Sequence, residues 1–320
     1  IVDFLEERSI KVLGPNKYAS QFESSKTFAK KFMDRHNIPT AEFYSDNNLE
    51  NVLNQVENWS FPKPPVIKAD GLAAGKGVFV VETKEEALHF VREIMENSEF
   101  SISSDTVVLE ERLEGKEISA FAIFDGKSYI CLGYARDHKR LLDGDLGPNT
   151  GGMGCISSQH IVDDEIKEKI NTEVFDRFLK GCQSEDKPFK GILFAGLMID
   201  ENSGVKVIEF NVRFGDPETQ TLLPLIKTDL AKMFLKAREG DLESLSNVEF
   251  SNQFSTHVVM TSGGYPGIDG QKLSTGHDIL NTENLEKSPD VQLYYSAVKK
   301  SPNGLLLNSG GRVLGVTAIS

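Results

Sequence analysis

The sequence predicts an α/β protein: two α+β lobes, preceded by what reads as the end of a domain and followed by a β-rich section that stops inside or just after a strand. Three observations carry this. Strand-length and helix-length patterns alternate through most of the chain. A segment rich in Gly and Ala, residues 69–77, joins two short apolar strands. From about Ser255 the helical patterns give way to β-rich sequence.

Taken in order, residues 1–18 read as the end of a domain, with a helix at Phe4–Glu7, a short strand at Ile10–Leu13 and a Gly14-Pro15-Asn16 turn. Residues 19–36 form one amphipathic helix with Phe22, Phe28, Ala29, Phe32 and Met33 on one face. It stops before Pro39, because the residue before a proline is pushed out of helical geometry. Strands follow at 66–68 and 78–81, then a helix opened by the capping box Thr83-Lys84-Glu85-Glu86. Strands near 106–111, 117–124 and 129–136 precede a helix at 163–182, strands at 192–200 and 205–212, and a helix at 229–239. The expected domains are 1–18, a large lobe (19–63 and 128–250), a small lobe (64–127) and a C-terminal β-rich domain (251–320).

Composition narrows the function. Hydrophobic residues are 39% and charged residues 26% of 320, ordinary for a globular protein of two or three lobes. The net charge of −13 and the lack of a basic stripe argue against duplex nucleic acid as a partner. An anionic ligand would have to be held by a local cluster of Lys, Arg and backbone N–H groups. Cys131, Cys155 and Cys182 are an odd, widely spaced set without metal-ligand spacing, which fits reduced thiols in the cytoplasm. The longest apolar stretch, Ile192 to Ile199, is too short to span a bilayer, and no targeting peptide is visible.

The chemistry concentrates in four segments. On the strand within 207–212, Glu209, Asn211 and Arg213 alternate onto one face, with Ile208, Val212 and Phe210 able to pack behind. The carboxylate and carboxamide, about 7 Å apart, are hard oxygen donors of the kind that suits a Mg²⁺ ion carrying phosphates. Arg213 offers a fork that matches oxyanions and leads into the turn Phe214-Gly215-Asp216-Pro217-Glu218. The segment Ala69–Gly77 has the wrong spacing for a P-loop and joins strands instead of opening a helix, so it reads as a flap whose N–H groups can cradle phosphates. Lys68 enters that flap. The stretch Glu110–Glu117 reads as a connector between lobes, whose backbone can read a base while Glu117 accepts from ribose hydroxyls; a solvated charged hairpin is the plainer alternative. The loop 136–154 gathers Arg136, His138, Lys139 and Arg140 before a Gly-rich run, and such long loops are often functional.

In this order, the pieces resemble the ATP-grasp ligases. More closely, IKADGLAAGKGV (67–78), DHKR (137–140), GPNTGGMG (147–154), EFNVRFGDPETQ (209–220), GGYPG (263–267) and GGRVLGVTA (310–318) resemble the phosphoribosylamine–glycine ligases. The resemblance covers nearly the whole chain. It implies an ATP-grasp fold and an ATP-dependent ligation of glycine to 5-phosphoribosylamine through a glycyl phosphate. It implies Lys26, Lys68, Gly75, Lys76, Gly77, Glu110, Glu111, Leu113 and Glu117 at the nucleotide, and Glu209 and Asn211 at Mg²⁺ or Mn²⁺. Arg213, Asp216, Asp137 and Lys139 would meet the acyl phosphate or the substrates. The expected partners are glycine, 5-phosphoribosylamine and ATP, with no nucleic acid and no membrane, for a cytoplasmic monomer. Against that family, the chain has only the tail of the N-terminal domain and lacks the last segment, and LFAGLMI in the strand 192–200 carries no carboxylate. A carboxyaminoimidazole ribonucleotide synthase and an inactive nucleotide-binding module are the alternatives. RFGDPETQ argues against the first.

Overall fold

A computed structural model describes residues 1–71, 77–96, 104–245, 248–267 and 270–320. Contacts divide the chain into two compact units.

The first unit takes Ile1–Cys131, Asp164–Arg213 and Ala231–Leu245. It holds an antiparallel four-stranded sheet in the order Phe43–Asp46, Val107–Glu110, Val66–Ala69, Val78–Phe79. Helices Leu49–Glu57 and Lys84–Met95 bury their apolar faces, Val52, Val56, Ala87 and Val91, with Ile67 and Leu109 of the sheet. Both helices start on a capping side chain that accepts at 3.1 Å: Asn48 from the Asn51 N–H and Thr83 from the Glu86 N–H. The strands Val66–Ala69 and Val78–Phe79 pair antiparallel, as expected for strands flanking a flap.

A second set of strands in this unit runs Val205–Asn211, Lys190–Ile199, Lys116–Asp125, again antiparallel. Phe194 sits opposite Asn211, and Gly196 opposite Glu209, so Glu209 and Asn211 do share one face. The register then jumps, with Leu197 opposite Val207. Ile208 is the extra residue of this bulge, which turns it toward the cavity described below instead of packing it behind the strand as expected. Phe22, Phe32, Phe124, Phe178, Phe189 and Phe210, all nearly inaccessible, form an aromatic core in edge-on and tilted pairs 4.7–6.4 Å apart.

Three local expectations are corrected here. No strand forms at Ile10–Leu13. The single helix expected over 19–36 is two helices, Gln21–Ser24 and Lys26–Arg35, because Ser25 is extended and its side chain accepts from Phe28 N to cap the second. The helix expected at 163–182 is α-helical at Asp164–Lys169 and Asp176–Ser184 with a π-helical stretch, Ile170–Phe175, between them.

The second unit takes Leu132–Asp163, Phe214–Leu230 and Ser246–Ser320. Its strands run from the part of Tyr129–Asp137 that begins at Leu132 through Gly154–Ser157, Ser255–Thr261 and Arg312–Ile319 to Val291–Tyr295. Residues 132–163 and 214–230, read from sequence as large-lobe segments, are grouped with the C-terminal residues by this pairing: Gly154 is opposite Val258 and Ser157 opposite Ser255. The loop expected to be irregular contains a short hairpin, Arg140–Leu142 with Leu146–Asn149, turned by Asp143-Gly144-Asp145. Its Gly-rich end is packed. Gly152 has φ +108°, and a Cβ there would lie 2.5 Å from Pro217 Cδ and 2.9 Å from Asp137 Oδ1.

Candidate active site

Four segments distant in sequence build a cavity of about 230 Å³ within the first unit. Helix Lys26–Arg35 contributes Lys26 and Lys30, strand Val66–Ala69 contributes Lys68, and strand Val107–Glu110 ends on Glu110. Strand Val205–Asn211 presents Glu209 and Asn211, with Arg213 just beyond.

Lys26 opens its helix, and its Nζ donates to the carbonyls of Ala69 at 2.9 Å and Gly71 at 3.0 Å. Asp70 clamps the same junction from the other side, accepting from Lys26 N at 2.6 Å and Gly71 N at 3.0 Å. The root of the Gly-rich segment is therefore tied to the helix end. Burial lowers the pKa of Lys26. Gly77 is buried against the cavity; Gly75 and Lys76 lie outside the described residues.

Glu110 is the hub of a buried ion cluster. Its Oε2 meets Lys68 Nζ at 2.8 Å and Lys30 Nζ at 2.9 Å, and the three residues are between 2% and 5% exposed. Burial acts to raise the Glu110 pKa, but the two ammoniums more than offset it and leave it lowered, so the carboxylate is ionised. Burial pushes Lys30 down to about 8 against the pull of Glu110. Lys30 Nζ also donates to Thr40 Oγ1 at 2.7 Å, and Thr40 donates on to the Val207 carbonyl at 2.6 Å. Lys30 and Thr40 were not legible as site residues. The one available signal was that Lys30 follows Lys26 by four residues on a helix.

The strand Val107–Glu110 leaves the four-stranded sheet and Lys116–Asp125 starts in the other, so residues 111–115 cross between sheets. The hairpin alternative is excluded, because these two strands are not neighbours. Glu111 accepts from Lys206 Nζ at 3.0 Å. Glu111, Leu113 and Glu117 are not among the lining residues of the cavity; Glu117 is exposed at the start of its strand.

Glu209 is exposed on the cavity side, and Asn211 is buried beside it. Together they supply two hard oxygens on one face, which fits a divalent cation whose other ligands are phosphate oxygens and water. Among the described residues there is no group of three or more His, Cys, Asp and Glu that could hold a metal by itself. Arg213 is oriented by Glu23, which accepts from its Nε at 2.9 Å and from Val212 N at 3.0 Å, and Arg213 Nη2 reaches Asn211 Oδ1 at 3.3 Å. Sequence reasoning did not find Glu23.

Of the four predicted catalytic residues, Arg213 belongs to the first unit, and Asp137, Lys139 and Asp216 to the second. A second cavity, about 360 Å³, lies within that unit and is lined by Asp216, Gln220, His257, Tyr294, Arg312 and Gly315 among others. Arg312, also missed, donates through Nη1 to Gly151 O at 2.6 Å, Asp216 Oδ1 at 3.1 Å and Asp216 O at 3.2 Å. One guanidinium thus fastens the Gly-rich loop to the acidic turn. Thr317 donates to Gln220 O at 3.1 Å, so its oxygen accepts from His257 Nδ1 at 2.7 Å. Burial lowers the pKa of His257, which favours a neutral ring protonated at Nδ1. Lys139 is exposed, and its carbonyl accepts from Thr150 N at 2.7 Å.

Residues 24–219 match the family described as the phosphoribosylglycinamide synthetase ATP-grasp (A) domain. The whole chain aligns at 40% identity with the phosphoribosylamine–glycine ligase of Rhodopirellula baltica, covering 72% of it. It aligns at 41% with a bifunctional purine biosynthetic protein of Pichia angusta, of which it spans 39%. A solved phosphoribosylamine–glycine ligase from Thermotoga maritima superposes with a TM-score of 0.85 at 34% identity, over 99% of this chain and 76% of that one.

Proposed function

Because the chain belongs to the phosphoribosylglycinamide synthetase ATP-grasp family, we propose that it carries the ligase centre that joins glycine to 5-phosphoribosylamine at the expense of ATP. The observation that carries this reading is the first unit's cavity. It sets Lys26 and Lys68 beside Glu209 and Asn211, cations for phosphate beside oxygens for a metal, inside the segment that matches the family.

The chemistry follows from the substrates. The carboxylate of glycine is a poor electrophile. Its attack on the γ-phosphorus releases ADP and forms glycyl phosphate. The amine of phosphoribosylamine then attacks the acyl carbon, loses a proton, and expels phosphate. The chain's own task is positioning and charge neutralisation. Lys68, fixed by Glu110, and Lys26, at the root of the Gly-rich segment, would face phosphate oxygens. Arg213, held by Glu23, would neutralise the acyl phosphate. Glu209 and Asn211 would hold Mg²⁺ or Mn²⁺, which supplies further neutralisation of triphosphate charge when bound. Glu110, which lines the cavity, would read the base; the roles of the 111–115 connector at the base and of Glu117 at the ribose, outside that lining, rest on the family resemblance alone. Asp137, Lys139 and Asp216 would serve the amine or the phosphate of phosphoribosylamine.

Small polar substrates and no nucleic acid agree with a net charge of −13. The absence of a disulfide among the three cysteines agrees with a cytoplasmic enzyme. No described helix is long and apolar enough to cross a membrane.

The test is phosphate release by the full-length protein, with ATP, glycine and freshly generated phosphoribosylamine. Turnover should require all three, and alanine or serine in place of glycine should react poorly because the acyl pocket must be small. ATP consumption indifferent to glycine would overturn the reading.

A further inference from the structure

The ion cluster at Glu110 is asymmetric, and the asymmetry has a use. Lys68 and Lys30 both approach Oε2. Oε1 is equally buried and has no hydrogen-bond partner among the described residues, although Glu110 lines the cavity. A buried carboxylate oxygen without a donor is costly, and a ligand donor would remove that cost. We propose that Lys30 is a positioning residue that sets the nucleobase preference of the cavity, by holding Glu110 ionised with Oε1 open to accept from an amino-bearing purine. This rests on the reading that the cavity takes ATP.

The physical basis is the difference between a carboxylate and a carboxylic acid. An ionised carboxylate only accepts hydrogen bonds, whereas a protonated one also donates. At the position where adenine carries an amino group, guanine and hypoxanthine carry a carbonyl oxygen. An ionised Oε1 therefore attracts the first and repels the others. Burial favours the neutral acid, which could donate to a carbonyl and lose the distinction. Two ammoniums on the other oxygen prevent this. Lys30 and Lys68 both line the cavity; Lys68 would be drawn partly toward phosphate, so its hold on Glu110 would weaken when a nucleotide is present. Lys30 is 2% exposed and is anchored by Thr40, whose own proton is committed to the Val207 carbonyl. Through that anchor its grip on Glu110 depends less on the ligand than that of Lys68.

The experiment compares kcat/KM for ATP and inosine triphosphate in the full-length protein, with glycine and phosphoribosylamine saturating, alongside thermal melts. Lys30→Met is close to isosteric and leaves Glu110 paired with Lys68. It should lower the ATP-over-inosine preference by about tenfold, through a raised KM for ATP and a lowered KM for inosine triphosphate. Thr40→Val keeps shape but removes the anchor, and should lower the preference by about threefold in the same direction. A merely structural role for Lys30 would weaken both nucleotides alike and leave the ratio unmoved. An unmoved ratio in folded Lys30→Met sinks the proposal; if that variant does not melt cooperatively, an unmoved ratio in Thr40→Val does so. A wild-type protein that turns over ATP with an unmoved ratio in the variants refutes only the role of Lys30. A wild-type protein indifferent to ATP refutes the ATP reading, and this proposal with it.

Discussion

In the cavity of the first unit, Lys30, Lys68 and Glu110 are 2%, 5% and 3% exposed, whereas the side chains of the Arg312–Asp216 pair at the second unit's cavity are 26% and 57% exposed. Both cavities are lined by charged residues, but the charges are held by different means. A buried ion cannot be left unpaired without a large penalty, so the first set is fixed by the fold around it. A half-exposed ion pair is screened and contributes little by its charge. Arg312 matters instead as a connector, because its guanidinium reaches two segments at once. The second cavity is shaped by packing: the His257 ring occupies the space above Gly315, where a Cβ would lie 2.0 Å from Nε2 and 2.1 Å from Cε1. The first region is thus fixed by paired buried charge and the second by packing.

Removing charge from the first cavity should cost most. Glu209→Gln keeps the size of the side chain and removes its charge from the first cavity. Ligation should fall by about a hundredfold or more, in kcat as well as in apparent ATP affinity, while the melting temperature stays within a few degrees. Wild-type turnover by this variant would mean that the first cavity does not organise ligand charge.

A packing change in the second cavity should act on stability instead. Gly315→Ala forces a methyl into the His257 ring, which Thr317 holds in place. The cost should be about 1–3 kcal/mol in urea unfolding. Adding His257→Ala should recover most of it, since the ring is the obstacle. A double variant no more stable than Gly315→Ala would show that the contact is not what limits this site.

The smallest effect uses a carboxylate of the first unit whose two oxygens are both engaged, in contrast with Glu110. Glu185 accepts from Tyr18 at 2.6 Å and Arg35 at 2.8 Å, and pairs with His36 at 2.8 Å. Burial acts to raise its pKa, but these partners outweigh it and set it at about 2, against an ordinary 4.5. A depressed folded-state pKa gives stability that is complete above pH 4.5 and lost as pH falls toward 2. Glu185→Gln should therefore flatten part of the acid limb of stability between those values and leave nucleotide binding at neutral pH unchanged. An acid limb identical to wild type would remove Glu185 from the account.

The parts that local rules control are legible in the chain alone. The two-residue period of a strand put Glu209 and Asn211 on one face, and the register to Gly196 and Phe194 agrees. The Gly-rich segment 69–77 had the spacing of a link between paired strands, and its flanking strands do pair. The capping sequence at Thr83 starts a helix where it should. The linear motifs also carried the family, because they lie in runs of contiguous residues.

The rest depends on contacts between segments far apart in the chain. A helical period cannot say which polar residue of a face is buried, so Lys30 and Lys26 looked alike. Lys30 is buried because Glu110, 80 positions later, and Thr40 come to meet it. Glu110 itself sits in a run of charge that reads as a solvated surface until the strand before it is seen to enter a sheet interior. The bulge that turns Ile208 toward the cavity is a mismatch between two strands and is not encoded in either alone. Arg312 meets Asp216 across 96 positions. Local structure is set by neighbours in the chain, whereas burial and charge pairing are set by neighbours in space, which one sequence does not specify.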